Sequence, residues 1–220
     1  HGRPETAHRV TMDNFTELRV LPEAAGWVSQ LSALESRISA LHRELRPLMD
    51  ERWKIGKVRE CHGDLHCGNV VRWAGALTPF DGIEFEPALR FIDVINDIAF
   101  LTMDLAERGH VELRRAVLQA WTDTSGDWSG LPLLPYYEAY RALVRAKVDA
   151  LRAMQLEAGS PARAAAVMDC RRYLDWAAAR VADRRPMLLI TCGLSGSGKT
   201  WLARRLAAHL GALHLRSDVE

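Results

Sequence analysis

Val28, Leu31, Leu34, Ile38, Leu41, Leu45 and Leu48 recur at steps of three and four. That spacing places them on one stripe of a helix of about six turns, facing a core. Residues 1–26 before it are polar and punctuated by Pro4, Pro22 and Gly26, which predicts irregular chain. After Gly56 the period changes. Val58–Cys61 reads as a short strand, His62–Asn69 as a polar loop, and Val70–Trp73 with Leu77–Phe80 as a hairpin turning at Gly75. Helical spacing then resumes. It predicts helices over Ile98–Arg108, closed by Gly109, over Val111–Trp121, over Tyr136–Met154 and over Pro161–Ala182. On the third of these, Tyr140, Leu143, Val144, Val148 and Leu151 form the apolar face. Arg184-Arg185-Pro186 ends the helical body, and a domain boundary is placed near residue 184. Met187–Cys192 is an unbroken apolar run of the kind found in a buried strand. A glycine-rich loop, a helix over Trp201–Leu210 and a second strand at Leu213–Leu215 follow.

Composition narrows the class. The chain has 220 residues, 48% hydrophobic and 26% charged, as in a globular protein with a sizeable core. Lys and Arg total 29 against 28 Asp and Glu, a net charge of +1. This argues against a strongly basic nucleic-acid binder and against an acidic disordered tail. No apolar run approaches the roughly 20 residues of a membrane span, so no membrane partner is expected. His1-Gly2-Arg3-Pro4 offers neither the apolar core of a signal peptide nor an initiator Met, and Glu220 follows closely on an apolar stretch; both ends read as those of a fragment. Cys61, Cys67, Cys170 and Cys192 form no C-x-x-C pair, and the C-x5-C spacing of the first two does not match a structural zinc site. They read as reduced thiols of a cytoplasmic protein. The seven Trp are dispersed, as packing residues rather than a base-stacking platform.

Chemistry concentrates in two segments. Gly193-Leu194-Ser195-Gly196-Ser197-Gly198-Lys199-Thr200 is G-x-x-x-x-G-K-[ST], the phosphate-binding P-loop, in its expected setting between an apolar run and an amphipathic helix. Gly193, Gly196 and Gly198, with Ser195 and Ser197, let backbone N–H groups converge on phosphate oxygens. The helix dipole favours the anion, Lys199 supplies a full charge to the terminal phosphates, and the Thr200 hydroxyl can ligate Mg²⁺. The implied cofactors are ATP and Mg²⁺.

The second segment is His62-Gly63-Asp64-Leu65-His66-Cys67-Gly68-Asn69, with Asp81 next in the acidic series. Phosphoryl transfer from ATP needs a carboxylate facing the acceptor hydroxyl, and an amide oxygen plus a second carboxylate on Mg²⁺. Asp64, Asn69 and Asp81 occur in that order. His62 then orients the loop backbone, and His66 serves loop hydrogen bonding. Glu84 reads equally as an accessory carboxylate or as surface. Arg141, Arg145 and Lys147 share one helix and read as a solvated charged face.

H-x-D-x-x-x-x-N followed by Phe80-Asp81 resembles the catalytic loop of the aminoglycoside phosphotransferase and choline kinase group, which shares the protein-kinase-like fold. Asp93-Val94-Ile95-Asn96-Asp97-Ile98-Ala99-Phe100 is similar to the segment that braces that loop, with Asp97 as the brace. The resemblance implies Asp64 and His62 as catalytic residues and Asn69 and Asp81, with Thr200 in the other segment, as metal ligands. The P-loop and its surroundings resemble P-loop kinases of the AAA-type, zeta-toxin and gluconate-kinase kind. That likeness implies Asp218 as a base for the attacking hydroxyl; an N-cap role for Ser217 or Asp218 is the plain alternative. The two segments in tandem resemble a family of bifunctional bacterial proteins.

The expected fold class is therefore α+β. Residues 1–183 form the mainly helical C-terminal lobe of a kinase-like fold without its N-terminal lobe, and residues 184–220 begin an α/β P-loop NTPase domain. The expected function is ATP-dependent phosphoryl transfer to a small-molecule hydroxyl, with no activity in residues 1–220 alone. The oligomeric state is not legible. Two alternatives are a metallophosphoesterase using Gly63-Asp64-Leu65-His66 and a non-catalytic nucleotide-binding regulatory module.

Overall fold

Pro4 occupies the first position of a helix, where its missing N–H costs nothing, and opens α1 (Pro4–Leu18). The computed structural model describes residues 1–182 and 187–215. The irregular chain expected over residues 1–26 is thus a helix followed by a 3₁₀ turn, Pro22–Trp27. The prolines there start elements instead of breaking them. Sparse apolar residues suffice because Phe15 and Leu18 are buried and Thr11 and Asn14 bond back to carbonyls one turn earlier.

The long stripe forms α2 (Val28–Lys54), which continues through Pro47. Leu31, Leu34 and Ile38 are buried, whereas Val28 at the first turn is exposed. Strand β1 (Val58–Glu60) is followed by the polar loop and the hairpin β2 (Val70–Trp73) and β3 (Ala76–Pro79). Ala74 and Gly75 both take positive φ at its tip, the conformation that matches the twist of a tight hairpin. A four-residue turn of helix, α3 (Pro87–Arg90), leads to β4 (Phe91–Asp93), which pairs antiparallel with β1. The sequence pattern missed β4 because three residues carry too little periodicity.

The helical body follows: α4 (Val94–Glu107), α5 (Val111–Ser125), α6 (Leu134–Gln155) and α7 (Pro161–Val181). Helices α6 and α7 pack together through small residues, with Ala139, Ala142, Ala146, Ala150 and Ala153 on one and Ala166, Cys170 and Ala177 on the other. This alanine stripe shifts the buried face of α6. Val148 and Leu151, expected inside, are exposed, and Arg141, expected in solvent, is buried.

The last described segment differs most from expectation. Met187–Cys192 and Leu213–Leu215 are not strands; α8 (Lys199–Leu210) alone is regular there. A strand needs a paired neighbour, and the described residues provide none beside this run. The segment touches the helical body where the Gln119 amide brackets the His214 backbone, accepting from its N–H at 2.8 Å and donating to its C=O at 2.9 Å. The boundary near residue 184, together with Ser217 and Asp218, lies outside the described residues. Among those described, the architecture is mainly helical with two two-stranded sheets, and no helix is long and apolar enough to cross a membrane.

Arg52 on α2 is fully buried. Its guanidinium donates to both oxygens of Asp93 at 2.8 Å, to Asp127 at 2.6 and 2.7 Å, and to Ser129 at 2.8 Å. Burial opposes the charge, but these partners raise the Arg52 pKa; desolvation opposes ionisation of Asp127 as well, and Arg52, Ser129 and Lys57 hold it below the usual carboxylate range. Gly130 lies so close that an added Cβ would meet the guanidinium at 3.2 Å.

Arg52→Met strands two buried carboxylates and is expected to cost about 3–5 kcal/mol in urea unfolding; a loss under about 1 kcal/mol would show that Asp93 and Asp127 do not depend on Arg52. A second expectation concerns His8 and His42, stacked at 4.3 Å between α1 and α2. Burial lowers both imidazole pKa values, and the neighbouring His8 lowers that of His42 further. The unfolded chain then binds more protons than the folded one, so this stability is intact above the ordinary imidazole pKa of 6.5 and lost as pH falls through it. Urea midpoints should drop between about pH 7.5 and about pH 5.5 in the wild type and drop less in His42→Phe.

Candidate functional site

The loop 62–69 leaves β1 and is held from beneath by α4. Asp93 caps that helix, its carboxylate accepting from the Ile95 N–H at 3.1 Å. One turn on, Asp97 accepts from two successive backbone N–H groups, His62 at 3.0 Å and Gly63 at 2.9 Å. The brace expected at Asp97 is therefore in place as geometry. Gly63 has φ +81°, and a Cβ there would stand 2.9 Å from the Leu89 carbonyl. The position needs glycine both for backbone conformation and for space.

His62 stitches the loop to the strand exit. Its Nε2 donates to the Phe80 carbonyl at 2.8 Å, and its Nδ1 accepts from the Asp64 N–H at 3.3 Å, a set satisfied by one neutral tautomer. Its own carbonyl accepts from Ile83 at 2.9 Å, and the Asn69 carbonyl accepts from Phe80 at 3.0 Å. Those bonds hold the two residues that flank Asp81-Gly82 against the loop. Asp81 is exposed and sits at φ 61°, an uncommon conformation for a residue with a side chain.

Asn69 is nearly buried and donates its amide to the Asp64 carboxylate at 2.9 Å and to the Asp64 carbonyl at 3.0 Å. Both donors face Asp64, so the amide oxygen stays available as a ligand. His66 accepts from the Gly68 N–H at its Nδ1, which leaves the Nε2 proton directed at Asp64, 3.5 Å away. That bond leads in holding the Asp64 carboxyl below its usual range; the charges of His66 and Arg141 and the Asn69 amide add to it, and burial opposes them. Asp64 is ionised at neutral pH and partly open to solvent.

Two residues of this site were not read from the sequence. Arg141 on α6 donates to the Gly63 carbonyl at 2.8 Å and to the Asn96 side chain at 2.8 Å, with its guanidinium over the Phe100 ring at 4.8 Å. Asp104 on α4 accepts from the Cys67 N–H at 2.9 Å and pairs with Arg108 at 3.0 Å. The signal for Arg141 was its neighbourhood, since Tyr137, Tyr140 and Val144 mark that side of the helix as inward. Burial pushes the Cys61 and Cys67 thiols up to about 12 and about 11, which makes them poor nucleophiles and poor metal ligands. Glu84 is exposed.

The P-loop forms a separate site at the start of α8. Gly193, Gly196 and Gly198 all take positive φ, and a Cβ on Gly193 would meet the Ser197 hydroxyl at 2.8 Å. The Lys199 ammonium folds back onto the Gly193 and Leu194 carbonyls at 2.7 and 2.6 Å. Thr200 stands exposed in the first turn of α8, and Ser195, Gly196 and Ser197 form the exposed crest of the loop. Glycine-only curvature with a lysine above it fits a polyphosphate. For Mg²⁺ the donors are sparse. Among the described residues no three His, Cys, Asp or Glu side chains gather in a metal-holding cluster.

Residues 188–220 match a family model described as an AAA domain, which places a P-loop, kinase-like nucleotide-binding module at this end of the chain. The chain is also 32% identical over 206 residues to uncharacterized proteins of Mycobacterium bovis and of two strains of Mycobacterium tuberculosis. The match takes in 94% of this chain but 40% of each relative, so the chain spans less than half the length of those proteins. No solved structure matches it.

If Asp97 holds the loop, Asp97→Ala leaves two backbone donors without their acceptor, at a cost of about 1–3 kcal/mol in local opening. Amide exchange at His62 and Gly63 should then accelerate about tenfold or more while amides in the centre of α6 keep their rates. Unchanged exchange at both positions would show that the loop is held by other contacts.

Proposed function

We propose that residues 1–182 carry the phosphoryl-acceptor half of an ATP-dependent phosphotransferase acting on a small-molecule hydroxyl, and that the P-loop segment belongs to a second, kinase-like nucleotide-binding module. The observation that supports this reading is the Asp64–Asn69 pair on a loop whose backbone is pinned by His62, Asp97 and Arg141, with Asp81 following Phe80, whose backbone bonds to that loop. The order and spacing of those residues resemble the catalytic loop of the aminoglycoside phosphotransferase and choline kinase group.

The ionised Asp64 carboxylate accepts a hydrogen bond from the incoming hydroxyl and aims its lone pair at the terminal phosphorus. In a loose transition state the hydroxyl proton moves late, so a weakly basic carboxylate is adequate. As the new O–P bond forms, that proton passes to Asp64 and the bond from phosphorus to the bridging oxygen breaks, leaving ADP. Asn69 holds Asp64 through its NH₂, and its amide oxygen, with the Asp81 carboxylate, would hold the Mg²⁺ that neutralises phosphate charge. His62 fixes the backbone and takes no proton in this scheme, because both of its nitrogens are engaged. At the second site the Lys199 ammonium leaves its two carbonyls for a phosphate, and Thr200 is placed to ligate Mg²⁺. A base role for Asp218 stays part of this proposal as implied by the resemblance alone.

The metallophosphoesterase alternative needs several metal-binding side chains in one cluster, and the described residues do not supply it.

The test is ATP turnover by the full gene product that contains residues 1–220, screened against hydroxyl acceptors. Asp64→Asn should lower acceptor-dependent turnover by about 10²-fold or more with little change in nucleotide affinity. Lys199→Ala should weaken nucleotide binding at the P-loop. If turnover survives Asp64→Asn unchanged, Asp64 is not the base.

A further inference from the structure

A second concave site lies on the face built by the end of α4 with α6 and α7. Its cavity is about 510 Å³, within the range of small-molecule pockets, and charged side chains dominate its walls. Arg108, Arg145, Arg152 and Arg172 contribute four cations. Arg172 is committed to Glu107 and to Asp169, the latter at 3.3 Å, and Arg108 is shared with Asp104. Arg145 stacks toward the Tyr173 ring at 5.9 Å, and its Nε is buried with no acceptor. Arg152 is exposed at the rim, with no ion pair among the described residues.

Asp149 lies deeper, 7% exposed, and its carboxylate makes no hydrogen bond among the described residues. Desolvation raises its pKa, with the neighbouring arginines acting in the opposite direction. The Arg145 Nε is thus buried without an acceptor, which is costly unless a ligand completes it, whereas the Asp149 oxygens remain open to the cavity. The two are neighbours on one helix face, four residues apart, yet they are not joined by a hydrogen bond.

We infer that this cavity binds a phosphorylated polyol, its phosphate between Arg145, Arg152 and Arg108 and one of its hydroxyls donating to Asp149. Three considerations select that chemistry. Convergent guanidinium groups in a cleft favour a phosphate over a neutral group, since they offer paired donors to a tetrahedral dianion. The group facing Asp149 must be a donor, because a carboxylate offers lone pairs alone. A neutral hydroxyl suits it, because Arg145, Arg152 and Arg172 already act on the Asp149 charge. The site lies one carboxylate away from the loop 62–69, since Asp104 holds both Arg108 and the Cys67 N–H. The inference does not depend on the phosphotransferase reading, because its readout is binding.

Calorimetric titration of the 220-residue chain with glucose 6-phosphate, glycerol 3-phosphate and inositol 1-phosphate, against inorganic phosphate and glucose, tests it. Lys199→Ala serves as the background throughout, so that the P-loop does not contribute. At least one phosphorylated polyol should bind more tightly than inorganic phosphate, and glucose should not bind. Arg152→Ala, at an exposed position that leaves packing intact, should weaken that binding about tenfold or more. Asp149→Asn should remove the advantage of the polyol phosphate over inorganic phosphate. Arg43→Ala, an exposed charge loss on α2, should change neither. The inference is overturned if none of the three polyol phosphates binds, or if Arg43→Ala weakens binding as much as Arg152→Ala.

Discussion

The bond set around Arg52 is the constraint on which the loop depends. Three pieces of chain distant in sequence meet on one guanidinium: α2, the end of β4 through Asp93, and the turn after α5 through Asp127. A buried cation with two carboxylates offers little net stability compared with an apolar core of the same shape. What it supplies is position. Asp93 has a second task, since the oxygen held by Arg52 Nη2 also caps α4. The start of α4 is therefore fixed relative to α2, and everything α4 carries is fixed with it.

What α4 carries is acceptors for backbone donors. Asp97 takes the N–H groups of His62 and Gly63, and Asp104 takes that of Cys67. The two are seven residues apart, two helical turns, so they grip the loop at both ends from one face. Arg141 closes the remaining side by donating to the Gly63 carbonyl. Three buried charges thus hold a polar loop by its backbone, and the side chains of Asp64, His66 and Asn69 bond within the loop itself. For the proposed function this matters, because a group positioned by rigid elements loses little entropy when a substrate arrives.

Much of this was legible in the order of residues. Strong periods predicted α2, α6, α7 and α8, and the hairpin followed from alternation around Gly75. The brace at Asp97 came from the resemblance, and the structure shows its two bonds to the loop backbone; Asp64, Asn69 and Asp81 stay a proposal as a site. What escaped has physical reasons. Helix α1 was hidden because Pro4 and Pro22 mark starts as readily as stops. Strand β4 is three residues long and exists through its pairing with β1. Arg52 and Arg141 were assigned to solvent or passed over because a charged residue on a helix is normally solvated; their partners, Asp93, Asp127 and Asn96, come from other elements and give no local signal. The face of α6 was rotated in the reading because valine and leucine carry more hydropathy than alanine. Close packing of α7 favours the smaller residue, so Ala146 and Ala150 are inside and Val148 and Leu151 are not.

The Met187–Cys192 run shows the opposite failure: a strong strand pattern without a strand. Leu188 and Ile190 are 79% and 76% exposed, and Trp201 on α8 is 62% exposed. A parallel strand buried on both faces owes its conformation to its neighbours, not to its own residues. The loop beside it behaves differently. The positive φ values of Gly193, Gly196 and Gly198 and the cap that starts α8 are local properties and are present without a sheet. In that state the Lys199 ammonium is satisfied by the Gly193 and Leu194 carbonyls, so a phosphate must compete with two hydrogen bonds that the loop itself provides. With a net charge of +1 over the whole chain, no general field assists that competition. Phosphate affinity here has to come from placed dipoles and one lysine. Rigidity of the loop, which neighbouring strands would provide, therefore governs binding more than charge does.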